Sequence, residues 1–72
     1  MILNLDFNSD IPIYTQIREQ IIKSIASGDL KINESLPSVR NMAEEIGVNL
    51  HTVNKSYNLL KDEGNVTVAI NL

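Results

Sequence analysis

The chain has 72 residues, nine acids against six bases for a net charge of −3, and no cysteine. That length makes one small domain burying only about 60% of its unfolded surface, with neither a disulfide framework nor a zinc site to staple it. The acidic balance excludes strong nonspecific binding of nucleic acid by the whole surface, so any contact with DNA must come from a local face.

No apolar run approaches the roughly 20 residues of a membrane span, and the start MILNLDFNSD lacks the basic head of a signal peptide. The expectation is a cytoplasmic protein with no membrane partner, which the lack of cysteine fits. Leu3, Leu5 and Phe7 alternate with Asn4 and Asp6, the pattern of a short strand with one buried face. Asn8-Ser9-Asp10 breaks that pattern, and Pro12 suits the first turn of a helix, where its missing N–H costs nothing. Ile13, Ile17, Ile21 and Ile25 then fall on one stripe, widened by Tyr14 and Ile22, while Arg18, Glu19 and Lys23 face away. Gly28 closes this helix of about four turns. Its polar face is not strongly basic, which favours a core helix over one lying on a membrane.

Asp29 to Ser35 reads as a connector whose Leu30 and Ile32, with Leu36, suit a short strand. Pro37 stops extended pairing, and Ser38 is placed to cap the next helix. From Leu36 to Gly64 the sequence reads as two short helices joined by a tight turn. Val39, Met42, Ala43 and Ile46 make the apolar face of the first. Gly47 stands where a left-handed residue ends a helix, and Asn49 is placed to cap the second. The second helix is expected to bury Leu50, Val53, Tyr57 and Leu60. A small residue at the crossing (Ala43), a glycine at the corner and an apolar anchor beyond (Val53) fit a DNA-binding helix-turn-helix. Glu44 and Glu45 lie on the solvent side of the first helix and carry no catalytic role. After Gly64, Val66, Val68, Ile70 and Leu72 share one side of a strand-prone run.

With Val53, Tyr57 and Leu60 inward, helical spacing puts His51, Asn54, Lys55, Asn58 and Asp62 on the opposite side. His51, Asn54 and Lys55 form one patch over the first two turns, the part a recognition helix puts into the major groove. Asn54 both donates and accepts, which suits an adenine edge, while Lys55 suits a phosphate or a guanine. Thr52, at the patch edge, offers a hydroxyl to phosphate and a methyl to thymine. Arg40 carries a fork that grips phosphate or guanine, its alternative being a surface pair with Glu44.

Several segments together give the chain a resemblance: PIYTQI at Pro12–Ile17, SGDLKINESLPSVRNMAEEIGVN at Ser27–Asn49, then Thr52-Val53, Lys55, Tyr57, Leu60 and Glu63-Gly64. Over about residues 7 to 68 it closely resembles the winged-helix DNA-binding domain of the GntR family of bacterial transcription regulators, in its short YtrA-like branch. In that family the arginine after LPSV touches DNA, which implies the same for Arg40. Contacts at the start of the recognition helix map onto Asn49, Leu50, His51 and Thr52, and later ones onto Asn54 and Lys55. With Ser38 these make the candidate DNA-binding set. Three departures stand out. Ile32-Asn33 replaces the usual Pro-Gly, Leu50 and Asn54 occupy sites where some relatives carry arginine, and Ala69-Ile70-Asn71-Leu72 offers no basic wing tip. The chain looks like an excised or truncated DNA-binding domain, residues 1–72, without the effector or dimerisation domain that follows in relatives.

The fold expected is mainly α: a three-helix winged helix-turn-helix with short β-strands and a truncated wing. The function implied is sequence-specific binding of an operator in double-stranded DNA, as part of a bacterial repressor. The full-length regulator is expected to be a homodimer on an inverted repeat. No nucleophile–base constellation, metal-ligand cluster or phosphate-binding glycine loop is visible, so neither catalysis nor a cofactor is expected. The rival reading is a protein–protein interaction module that keeps the scaffold without binding DNA, and the acidic balance and missing wing support it.

Overall fold

The computed structural model describes residues 3–30 and 36–64. Among them lie three helices and no strand: α1 (Ile13–Ser27), α2 (Val39–Ile46) and α3 (Leu50–Asp62). The architecture is mainly α, with α3 as the common partner on which both α1 and α2 pack.

The isoleucine stripe of α1 meets α3 as its spacing predicts. Ile17 and Ile21 are fully buried, and Ile13, Ile22 and Ile25 pack partly against the same core. Pro12 sits at the N-cap, one residue earlier than expected, and its carbonyl accepts from Thr15 and Gln16 at 3.1 and 3.2 Å. Gly28, at φ 85°, ends the helix in the left-handed region that a side chain would strain. Leu30, near the start of the connector, and Leu36, just after it, both enter the core. α2 adds Val39, Met42 and Ala43, and α3 adds Val53, Tyr57 and Leu60. Among the described residues ten apolar side chains form this core, and each large one that is fully buried contributes about 1.5–3 kcal/mol.

The N-terminal segment departs from expectation. Leu3 and Leu5 do pack against the core, but the segment is not a strand, and Phe7 is 64% exposed. Its backbone pairs with two glutamine side chains of α1 instead of with a neighbouring strand. The Gln20 amide accepts from Asn4 N–H at 2.7 Å and donates to Asn4 C=O at 2.6 Å. The Gln16 amide does the same for Asp6, at 2.9 and 3.0 Å, and also donates to Ile11 C=O at 2.9 Å. The match is geometric: two residues of extended chain span about 6.6 Å and four residues of helix about 6 Å. Side-chain amides thus satisfy the backbone groups that a sheet partner would take. At Asp6 the chain turns, with Ser9 N–H on Asp6 C=O and Asn8 N–H on the Asp6 carboxylate, and this turn carries Phe7 out of the apolar face. The strands expected in the connector and in the wing stub fall on residues 31–35 and 65–72, outside the described residues.

Candidate nucleic-acid interface

The corner between α2 and α3 is built by three local caps. Ser38 Oγ accepts from Asn41 N–H at 3.1 Å and starts α2. Gly47, at φ 67° and ψ 38°, ends it, with Gly47 N–H and Val48 N–H both on Ala43 C=O. Asn49 Oδ1 then accepts from His51 N–H at 2.7 Å and starts α3. Three residues, Gly47 to Asn49, separate the helices, and the start of α3 lies next to the start of α2.

That juxtaposition forms an open cleft of about 210 Å³ lined by Val39, Arg40, Leu50, His51 and Asn54. Arg40 and His51 are exposed, Asn54 is half-buried, and no acidic residue lines the cleft. A chain with net charge −3 therefore keeps its acids out of this recess. Arg40 makes no ion pair with Glu44, and the pair found among the described residues is a different one.

Leu50 corrects the expected burial. It is 44% exposed, while Val53, Tyr57 and Leu60 are fully buried. At the first position of α3 it lies ahead of the crossing with α1 and turns to the cleft instead. Its neighbour Val39, expected only in the core, contributes to the cleft wall as well. Nothing in the periodicity distinguishes a leucine at the tip of an amphipathic helix from one inside it.

Lys55 does not line the cleft. Its Nζ stands 4.0 Å from the centre of the Tyr14 ring on α1, a cation–π contact that holds the ammonium at the α1–α3 edge. Thr52 is half-buried beside the patch. The sequence-derived set thus divides: Arg40, Leu50, His51 and Asn54 share the cleft, Ser38 and Asn49 cap the two helices, and Lys55 sits to one side. By spacing Tyr14 only widens the α1 stripe, and no local signal places it against Lys55.

A second ion contact clamps the far end of α3. Arg18, expected to face away, forms a two-pronged pair with Glu63: Nε to Oε1 at 2.6 Å and Nη2 to Oε2 at 2.5 Å. The hydrogen bonds from Arg18 lower the Glu63 carboxyl below its ordinary value, and the same bonds raise the guanidinium.

Comparison with known proteins gives a consistent picture. Residues 13–70 match the family described as bacterial regulatory proteins, gntR family. The HTH-type transcriptional repressor NagR of Bacillus subtilis is 40% identical over 62 residues, 86% of this chain and 26% of that protein. The HTH-type transcriptional repressor YtrA of the same organism is also 40% identical over 62 residues, covering 86% of this chain and 48% of that one. The solved structure of YtrA from Sulfolobus acidocaldarius, a GntR-family transcription factor, superposes with a TM-score of 0.86 at 53% identity. That match covers 89% of this chain and 68% of the other. The chain spans half or less of the length of the curated relatives it matches.

Proposed function

The chain belongs to the GntR family of bacterial regulatory proteins, and from that premise we propose that it reads an operator in double-stranded DNA for a transcriptional repressor. The observation that carries the reading is the convergence of Arg40, His51, Asn54 and Leu50 in one acid-free cleft at the leading end of α3. A guanidinium from the first turn of α2, beside an imidazole and an amide from the first turns of α3, can supply phosphate and base-edge contacts together. Ser38 and Asn49 have spent one acceptor each on capping, which leaves the Ser38 O–H and the Asn49 amino group as donors for phosphate. Thr52 and Lys55 flank the same end of the helix.

In this reading residues 1–72 act as the DNA-binding domain of a cytoplasmic regulator with no catalytic step. No described helix is long and apolar enough to cross a membrane, and no cluster of metal-ligating side chains occurs among the described residues. The repressor names of two relatives support the direction of control. Two copies on an inverted repeat complete the assignment, since one copy supplies few phosphate contacts.

The test is a low-salt mobility shift of the chain on the promoter DNA of its own operon and on scrambled duplexes. Sequence-dependent binding is expected, with a log–log salt slope of only roughly −2 to −4 for a single copy. Linking two copies through a dimerising coil should steepen that slope about twofold on an inverted repeat. No binding at any salt, even for the linked dimer, would overturn the reading in favour of a protein–protein module on the same scaffold.

A further inference from the structure

Leu50 is the one apolar side chain of α3 that faces water beside the candidate polar readers. Among the described residues the other exposed large apolar side chains, Phe7 and Ile11, belong to the N-terminal segment and do not line the cleft. Leu50 lines the same cleft as Arg40, His51 and Asn54, with the almost fully buried Val39 as the other apolar lining residue. Leaving a leucine 44% exposed forgoes part of its burial energy, and the leading turn of a recognition helix is where such a group meets a base edge. The major groove carries one apolar group on its floor, the C5 methyl of thymine, and it lies next to hydrogen-bonding edges.

Resting on the DNA-binding reading above, we propose that Leu50 is a specificity-determining residue that packs on a thymine methyl, with Val39 as its backing. Asn54 lies four residues on, about 6 Å along the helix, against a base-pair rise of about 3.4 Å. The thymine read by Leu50 therefore falls within two base pairs of the base read by Asn54. Cytosine lacks the methyl and is rejected there, whereas 5-methylcytosine supplies the same apolar group at the same place. A leucine has no hydrogen bond to give, so the discrimination is by methyl contact alone.

The test replaces atoms in the DNA and leaves the protein intact. The best duplex is selected with the full chain from a random pool, and each thymine is then exchanged singly for deoxyuridine, which removes only the methyl. One thymine per half-site is expected to show a loss of about three- to fivefold in affinity, the size set by one buried methyl. The same exchange should have no effect in Leu50→Ala, checked by its melting temperature to be folded, because that variant has already lost the contact. A selected duplex that binds specifically but tolerates uracil everywhere would overturn the inference and leave the DNA-binding reading standing. A full uracil penalty retained in Leu50→Ala would also overturn it. Failure to select any duplex would sink the DNA-binding reading, and this inference with it.

Discussion

The phenol of Tyr57, in the middle of α3, donates a hydrogen bond to the backbone carbonyl of Pro37 at 2.7 Å. Pro37 immediately precedes the cap of α2, so this bond ties the recognition helix to the start of the helix that carries Arg40. The Tyr57 ring is itself fully buried, and burial pushes the phenol pKa well above its ordinary 10.0, with the nearby Glu45 charge adding to the effect.

Tyr57→Phe should keep the core filled and cost about 0.5–1.5 kcal/mol, since the Pro37 carbonyl loses its partner. Thermal melting reads this as about 4–8 °C for each kcal/mol in a domain of this size. The pH dependence has a definite sign. The folded phenol resists ionisation, so its contribution to stability is complete below pH 10 and falls away as pH climbs beyond that value. Wild type should therefore lose stability above pH 10 more steeply than Tyr57→Phe. Parallel curves for the two proteins would contradict the assigned burial.

Gln16 is only 8% exposed and its amide satisfies Asp6 and Ile11. Gln16→Ala should cost about 1–3 kcal/mol, because three backbone groups lose their partner. Hydrogen exchange should quicken at Asp6 N–H, whose partner is removed, more than at Asn4 N–H, which keeps Gln20. Equal exchange at both sites would show that the two amides do not act separately.

The Arg18–Glu63 clamp predicts an acid-side effect. The Glu63 carboxyl is lowered, so its contribution is present above the ordinary glutamate value of 4.5 and is lost as pH falls through the lowered value. Glu63→Gln should melt below wild type near pH 7, and the gap should close in acid. High salt should narrow the same gap at neutral pH, because both partners are solvent-accessible. A gap independent of both pH and salt would mean that the carboxylate charge is not what holds α3 to α1.

Three polar residues near the start of α3 should fail differently on DNA. Arg40→Ala should weaken specific binding by roughly 1–3 kcal/mol with the melting temperature unchanged, since the side chain is exposed in the free protein. Asn54→Ala should relax base preference at one position of a selected-site logo. Lys55→Ala should weaken every sequence alike and shallow the salt slope by about 0.9, as expected for one phosphate contact. An unchanged logo for Asn54→Ala would remove it from base reading.

What the sequence by itself determined is everything set within a few residues of chain. The stops at Gly28 and Gly47, the caps at Ser38 and Asn49, and the buried faces around Ile17–Ile21 and Val53–Tyr57–Leu60 all stand where spacing and cap chemistry put them. Such features depend on neighbours one turn away, and those neighbours are written in order. The tertiary structure alone decided which residues far apart in sequence meet. The alternation at Leu3 and Leu5 correctly announced a buried side, yet it cannot say that helix amides rather than a strand would take the backbone. The same holds for Lys55 over Tyr14, for Arg18 on Glu63, and for the cleft that gathers Arg40 with Leu50. Each follows from where the helices cross, and the crossing is set by side-chain volumes on three surfaces at once, which periodicity along one helix does not encode.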